Sequence, residues 1–212
     1  MHRYFRLYEM AYPVSFNMEE FKSLKSFAAR VRYASERLPK LGTGSSRVVF
    51  QIDEFKVLKL AKNSKGIAQN EAEGASGAGN MVDCVAKVLD MDDDKWLWIE
   101  MELAQKINAA RFKQLTGLDF KQFVQSLEYE DYRHDPRSFA MRQKPVEPEW
   151  QQDLWDNNEF FKDVIDLLIN FDLPFGDFLQ LKHYGEVNER CVIIDYGYSK
   201  EVQKIYYPPG KR

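Results

Sequence analysis

The stretch from Leu41 to Glu73, LGTGSSRVVFQIDEFKVLKLAKNSKGIAQNEAE, constrains the fold more than any other part of the chain. It reads as strand, glycine turn, strand, turn, strand and helix. Gly42 and Gly44 stand where the chain reverses, and Val48, Val49, Phe50 and Ile52 follow in strand-forming order. Glycine lets a backbone turn, and lets a ligand approach it, without a Cβ in the way. A two-glycine turn with Ser45 beside it offers backbone N–H groups to phosphate oxygens. Side chains alternate along a strand, so Phe55, Val57 and Lys59 share one face and the Lys59 ammonium lies beneath the turn. The next helix carries Gln69 and Glu73 one turn apart on one face. Glu73 is placed to hold the Lys59 head group, with Glu71 as a rival. The plainer alternative is an ordinary hairpin with Lys59 in solvent or guarding a strand edge.

A chain of 212 residues makes one large domain or one two-lobed domain. Aromatic residues at 14% are enough for a sizeable core. A net charge of −3 argues against a broad electrostatic grip on nucleic acid, which needs a basic surface. Cys84 and Cys191 lie far apart with no ligand-type neighbours at metal spacing, so each reads as a buried free thiol in a reducing compartment. No apolar run is long enough to span a bilayer. The first sixteen residues, aromatic and basic, lack the apolar core of a signal peptide. The expectation is a cytoplasmic protein with no membrane partner.

Asn17 to Arg37 reads as a helix capped by Asn17, with Phe21, Leu24, Phe27, Ala28 and Val31 at helical spacing and Pro39 beyond its end. Gly66 to Gly77 reads as a second helix, ended by Gly74, Gly77 and Gly79. Val82 to Leu89 alternates as a fourth strand and Lys95 to Ala104 as a fifth. Between them Asp92, Asp93 and Asp94 make a solvated turn, because the spaced ligands of a calcium loop are missing. Arg111 to Glu128 is helical in register, Tyr129 to Glu149 reads as a long loop with an exposed His134, and Asn158 to Asn170 is again helical.

The other informative stretch is Phe171 to Ser199, FDLPFGDFLQLKHYGEVNERCVIIDYGYS. Cys191 to Ile194 is a short apolar strand that delivers Asp195 before Tyr196 and Gly197. A carboxylate at a strand end before glycine suits magnesium, which takes one or two carboxylates along with phosphate oxygens. Eighteen residues earlier stands Asp177, in Gly-Asp-Phe.

Taken in order, Gly42, Gly44, Lys59, Glu73, a hinge-like strand, Asp177 and Asp195 resemble the signature set of the protein-kinase-like fold over residues 41 to 199. In texture the chain is similar to small kinase-like proteins encoded by bacteriophages. The resemblance implies an α+β, two-lobed chain: a helical extension over 1–40, a small antiparallel-sheet lobe over 41–103, and a reduced helical lobe over 104–212. It implies ATP and Mg2+ as cofactors. Lys59 would hold phosphates, and Asp177 would orient an acceptor hydroxyl and take its proton. Asp195 would hold the metal. Met101 would line a nucleotide pocket, and the Glu102 and Leu103 backbone would meet an adenine edge. Lys59, Asp177 and Asp195 are then expected to converge across one cleft.

Four departures qualify the resemblance. Arg47 replaces the third loop glycine and is expected to reach phosphate instead. Phe175 and Gly176 replace the His-Arg before the catalytic aspartate. Lys182 replaces a metal-binding asparagine, and an ammonium cannot coordinate a cation. Only Lys200 to Arg212 follow the segment that ends Asp-Tyr-Gly-Tyr-Ser, so the expectation is a chain without a platform for docking a peptide. Two functions remain in view. One is an ATP-dependent phosphotransferase acting on a small molecule, a protein or itself. The other is a pseudokinase-type module that binds a host or phage protein without catalysis, in the host cytoplasm if the chain is phage-encoded.

Overall fold

Alternating apolar residues build the strands from Lys40 to Ala61, and the faces they create decide where everything else packs. The structure, a computed structural model, describes residues 12–75, 82–139 and 143–206. Gly77 and Gly79, expected to end a helix, and most of the aromatic N-terminal segment lie outside the described residues.

The chain forms two units. One contains the chain through the helix that ends at Ala75, together with Lys87–Leu103; the other contains the segment up to Ala86 and the chain from Ala104 onward. The class is α+β, with a five-stranded antiparallel sheet in the first unit and mainly helices in the second.

In the first unit the strands are β1 (Lys40–Thr43), β2 (Arg47–Gln51), β3 (Lys56–Ala61), β4 (Val88–Met91) and β5 (Trp98–Glu102), in the order β1-β2-β3-β5-β4. β3 is central and every residue in it is buried. Its Leu58 and Leu60 join Val48, Phe50 and Trp98 against Phe21, Tyr33 and Ala34 of two helices, α1 (Met18–Ser23) and α2 (Phe27–Ser35). The alternate positions, Arg47 and Lys59 among them, face the other side, where α3 (Ser64–Ala75) lies.

The single helix expected over Asn17–Arg37 is two. Leu24 is extended, and Ser26 caps α2 by accepting from the Ala29 N–H at 3.1 Å. The fourth strand begins late. Val85 instead bridges in parallel to Ile193, so residues 84–86 belong to the second unit and β4 starts at Val88. β5 is shorter than expected because the turn before it runs on to Trp96, whose φ is 55°. The Asp92 carboxylate accepts from the N–H groups of Lys95 and Leu97, which makes the aspartate run a turn.

The second unit holds α4 (Ala109–Thr116), α5 (Phe120–His134), α6 (Gln151–Asn157), α7 (Glu159–Asn170) and α8 (Lys200–Tyr206). A small sheet orders β6 (Gln105–Lys106), β7 (Tyr184–Val187) and β8 (Arg190–Ile193). Phe112, Phe120, Phe123, Phe160 and Tyr184 form its aromatic centre. The helix expected over Arg111–Glu128 is cut by Gly117, at φ 77°, and restarted by the Asp119 cap. It then continues through residues read as loop. Buried Glu130 holds that extension, accepting from Gln151 Nε2 at 2.7 Å and Trp155 Nε1 at 2.9 Å. Among the described residues no helix is long and apolar enough to cross a membrane.

Gly66 is the close-approach glycine of the first unit. A Cβ there would lie 2.3 Å from the Ser46 carbonyl oxygen and 2.9 Å from Ala61 Cα. Alanine is the better helix former by about 1 kcal/mol, yet Gly66→Ala is expected to lower stability by about 1–3 kcal/mol through overpacking. Chemical denaturation of the two proteins measures the sign; an unchanged or raised midpoint would show that α3 moves freely off the sheet.

Candidate functional site

In the first unit three charged side chains meet beneath the glycine turn. Glu73, in the last turn of α3, is fully buried. Lys59 Nζ lies 3.1 and 3.0 Å from its two carboxylate oxygens. Arg47 closes on the same carboxylate in bidentate fashion, at 2.9 and 3.0 Å. Arg47 and Lys59 are on adjacent strands and the same face, which is what lets one carboxylate receive both. Glu71, the rival, is exposed on another face of the helix. The expectation that Arg47 reaches a phosphate is therefore corrected: its guanidinium is committed to Glu73, with Asn70 Oδ1 as a further acceptor at 3.4 Å. The sequence carried a signal for this, since Arg47 and Lys59 both sit on the face of the sheet opposite Val48 and Leu58.

The turn itself is tied from below. Lys62 Nζ donates to the Gly44 carbonyl at 2.7 Å, Asn63 Nδ2 to the Ser45 carbonyl at 3.1 Å, and the Lys62 N–H to the Ser46 carbonyl at 2.8 Å. Gln69 Oε1 accepts from Ser46 Oγ at 2.6 Å. The Gly44 N–H, expected to be open to phosphate, donates to the Arg47 carbonyl at 2.9 Å. Ser45 is exposed at the tip. Neither Gly42 nor Gly44 has the left-handed φ that demands glycine, and a Cβ on Gly42 would meet no atom within 4 Å. The chain's own packing does not require glycine at position 42.

The end of β5 differs from its expected role. Met101 is buried, as a pocket-lining residue would be. The Glu102 N–H donates to the Lys87 carbonyl at 3.0 Å and the Leu103 N–H to the Phe55 carbonyl at 2.6 Å. Both N–H groups expected to meet an adenine edge are thus bonded within the unit. The Glu102 carboxylate in turn accepts from the Lys87 N–H at 3.0 Å.

In the second unit Asp177 and Asp195 act on each other. Asp177 lies in a one-turn 3-10 segment, Phe175–Leu179, and is half-buried; Asp195 is exposed just past the end of β8. Burial raises the Asp177 pKa above the ordinary aspartate value; His183 and Lys182 oppose that, and the Asp195 charge adds to it. His183 is the residue that sequence reasoning missed. It ends the 3-10 segment Leu181–His183, and burial lowers its pKa while Asp195 and Asp177 pull it back up. It stands one position beyond Lys182, where attention to an asparagine at fixed spacing passed over it. The Tyr196 hydroxyl donates to the Ala86 carbonyl at 3.1 Å and pins residues 84–86 to this unit. His134, the other loop candidate, ends α5 with its ring stacked 6.1 Å from Phe175.

No family model matches this chain, and no curated protein does either. Some solved structures are similar to it. A streptomycin–ATP ternary complex of APH(2″)-IIa matches 82% of this chain and 71% of its own, at 13% identity and a TM-score of 0.36. A gentamicin complex of APH(2″)-IIa matches 82% and 70%, at 12% identity and a TM-score of 0.33. A GDP complex of a mutant aminoglycoside 2′-phosphotransferase IIIa matches 85% and 69%, at 13% identity and 0.36. The likeness is distant.

Two outcomes follow from the geometry. Removing the carboxylate that serves two buried cations is the costlier change, about 3–5 kcal/mol. Glu73→Leu should therefore unfold at markedly lower denaturant than Lys59→Met, in which Glu73 still holds Arg47; equal midpoints would deny the shared role. A carboxyl whose folded pKa is raised is stabilising when protonated, and that contribution is lost as pH rises through the folded value. Asp177→Asn should then melt higher than wild type at neutral pH without divalent ions. The gain should shrink toward the ordinary aspartate pKa, which melting curves across pH will follow.

Proposed function

We propose that this chain is a nucleotide-dependent phosphotransferase of the protein-kinase-like type, using ATP and Mg2+ and passing phosphate to a small molecule, a protein or its own chain. The observation that carries the reading is the buried Lys59–Glu73 pair beneath the Gly42–Ser45 turn, at 3.0 Å. An ammonium fixed by a carboxylate, on the second strand after a glycine turn, is what holding ATP phosphates requires. The open space around Gly42 adds support, because it lets a ligand reach the backbone where the fold itself asks for no glycine.

In the second unit, Asp177 would orient the acceptor hydroxyl and take its proton. The acceptor oxygen forms its bond to the γ-phosphorus as the bond to the bridging oxygen breaks and ADP leaves. Its raised pKa, set first by burial, suits a group that must accept a proton. Asp195 would hold magnesium, with Asp177 nearby. Magnesium takes one or two carboxylates and draws its other ligands from phosphate and water. When bound, that ion spreads the phosphate charge. Lys182, exposed, would add a cation rather than a ligand. No observation among the described residues favours the binding-only module.

The test is calorimetry and product analysis with ATP and magnesium. Wild type should bind and turn over nucleotide; Asp195→Asn should abolish turnover, and Lys59→Met should lower it at least about a hundredfold, roughly 2.7 kcal/mol of transition-state stabilisation. Gly42→Ala should keep its melting temperature and lose nucleotide affinity. Absence of any nucleotide binding by the wild-type protein sinks the reading.

A further inference from the structure

Arg30 is a buried cation of a different kind from Arg47. It lies in the first turn of α2 and is 8% exposed. Among the described residues no side chain or carbonyl accepts a hydrogen bond from its guanidinium, and no carboxylate pairs with it. The Asp92 carboxylate is near enough to favour the charged form, but it is engaged by the N–H groups of Lys95 and Leu97 at 3.2 and 3.3 Å. The guanidinium is not sealed in either. Among the described residues, the enclosed side-chain atoms without a partner are Asp53 Oδ2 and Gln151 Oε1, and none belongs to Arg30. Arg30 lines the cavity at the start of α2.

That cavity, of about 590 Å³, is bordered by Lys22, Lys25, Ser26, Arg30 and Lys95, and no acidic residue lines it. Side chains on a helix lean toward its N-terminus, so Arg30 is carried back to the start of α2. Ser26 Oγ satisfies the Ala29 N–H there. The N–H groups of Phe27 and Ala28 remain as first-turn donors with no partner inside the helix, at the positive end of its dipole. Lys22 is held by its ammonium lying 5.1 Å over the Trp98 ring. The charges that oppose this set lie outside the cavity. Asp92 and Asp93 border a smaller one, of about 200 Å³, which shares Lys22, Arg30 and Lys95. Asp94 pairs with Lys95 at the surface, at 3.4 Å.

We propose that this cavity at the start of α2 is an anion site that takes a small soluble molecule bearing one or more phosphate groups. Arg30 grips two oxygens in its fork, the first-turn N–H groups point at a third, and Lys22, Lys25 and Lys95 balance the remaining charge. Four cations around one concave site suit a multiply charged group better than a single carboxylate. They form a pocket rather than the stripe that a nucleic-acid backbone needs. Leu24, Phe27 and Leu97 also line it but are partly buried, and the large exposed apolar side chains, Val14, Leu41, Val146, Ile169 and Ile205, line no part of it, which favours a free phosphate compound over a lipid headgroup. The site is separate from Lys59 and Glu73 and does not depend on the phosphotransferase reading.

Pyrophosphate, titrated in EDTA at constant ionic strength and followed by melting temperature and calorimetry, tests it. Wild type and Lys59→Met should both be stabilised. Arg30→Met should fold at least as stably as wild type, because an apolar residue replaces a buried charge with no partner, and should bind pyrophosphate at least tenfold more weakly. The exposed change Lys25→Glu should weaken binding in the same direction, and carries the test should Arg30→Met fail to fold. A pyrophosphate response kept in Arg30→Met and Lys25→Glu but lost in Lys59→Met overturns the proposal and assigns the response to the nucleotide site. Binding to phosphoinositide vesicles with no response to pyrophosphate overturns the soluble ligand.

Discussion

The Glu73 carboxylate is the point on which the first unit turns. Two cations from neighbouring strands, Arg47 of β2 and Lys59 of β3, share it inside the fold. Burying three charges is expensive, and their attraction offsets the loss of water only if the geometry holds. That requirement fixes the position of α3 over the sheet to within a hydrogen bond. It also explains why α3 comes so close that Gly66 has no room for a side chain. The Ser46–Gln69 hydrogen bond and the contacts of Lys62 and Asn63 then hold the glycine turn over the pair.

Burial acts on the charges of the second unit differently. Asp177 and His183 sit half covered, each pushed toward its neutral form, with Asp195 exposed beside them. Around Glu73 burial is compensated by pairing; at Asp177 and His183 it is left to shift protonation. A fixed cation and an adjustable carboxyl are the two properties that phosphoryl transfer asks of a protein, since positioning and charge do most of the work. Arg30 is a third case, buried at the edge of a cavity with Asp92 near it and, among the described residues, no carboxylate hydrogen-bonded to it.

Much of this was legible in the chain because local rules held. Alternation placed Val48, Phe50, Leu58 and Leu60 on one face and Lys59 on the other. Asn17 caps the helix that follows it. Local breaks at Ser26 and Gly117 divided two expected helices, and the other failures fell where a distant partner overrode a local preference. Residues 82–89 alternate like one strand, but Val85 bridges to Ile193 and Tyr196 ties Ala86, so the segment is divided. Residues beyond Tyr129 are polar enough for a loop, yet Glu130 finds two tryptophan-region donors and keeps the helix going. The N–H groups of Glu102 and Leu103 carry no mark in the sequence that Lys87 and Phe55 would take them.

What the sequence determined alone was periodicity: which residues form strands and helices, and which face each side chain occupies, because those follow from backbone geometry within a few residues. What only the tertiary structure decided was partnership. Arg47 could have faced a phosphate and instead completes a buried carboxylate, and His183 lies beside two aspartates by virtue of successive tight turns. Partnership depends on which groups from remote segments share a low-dielectric space, and no local rule counts those.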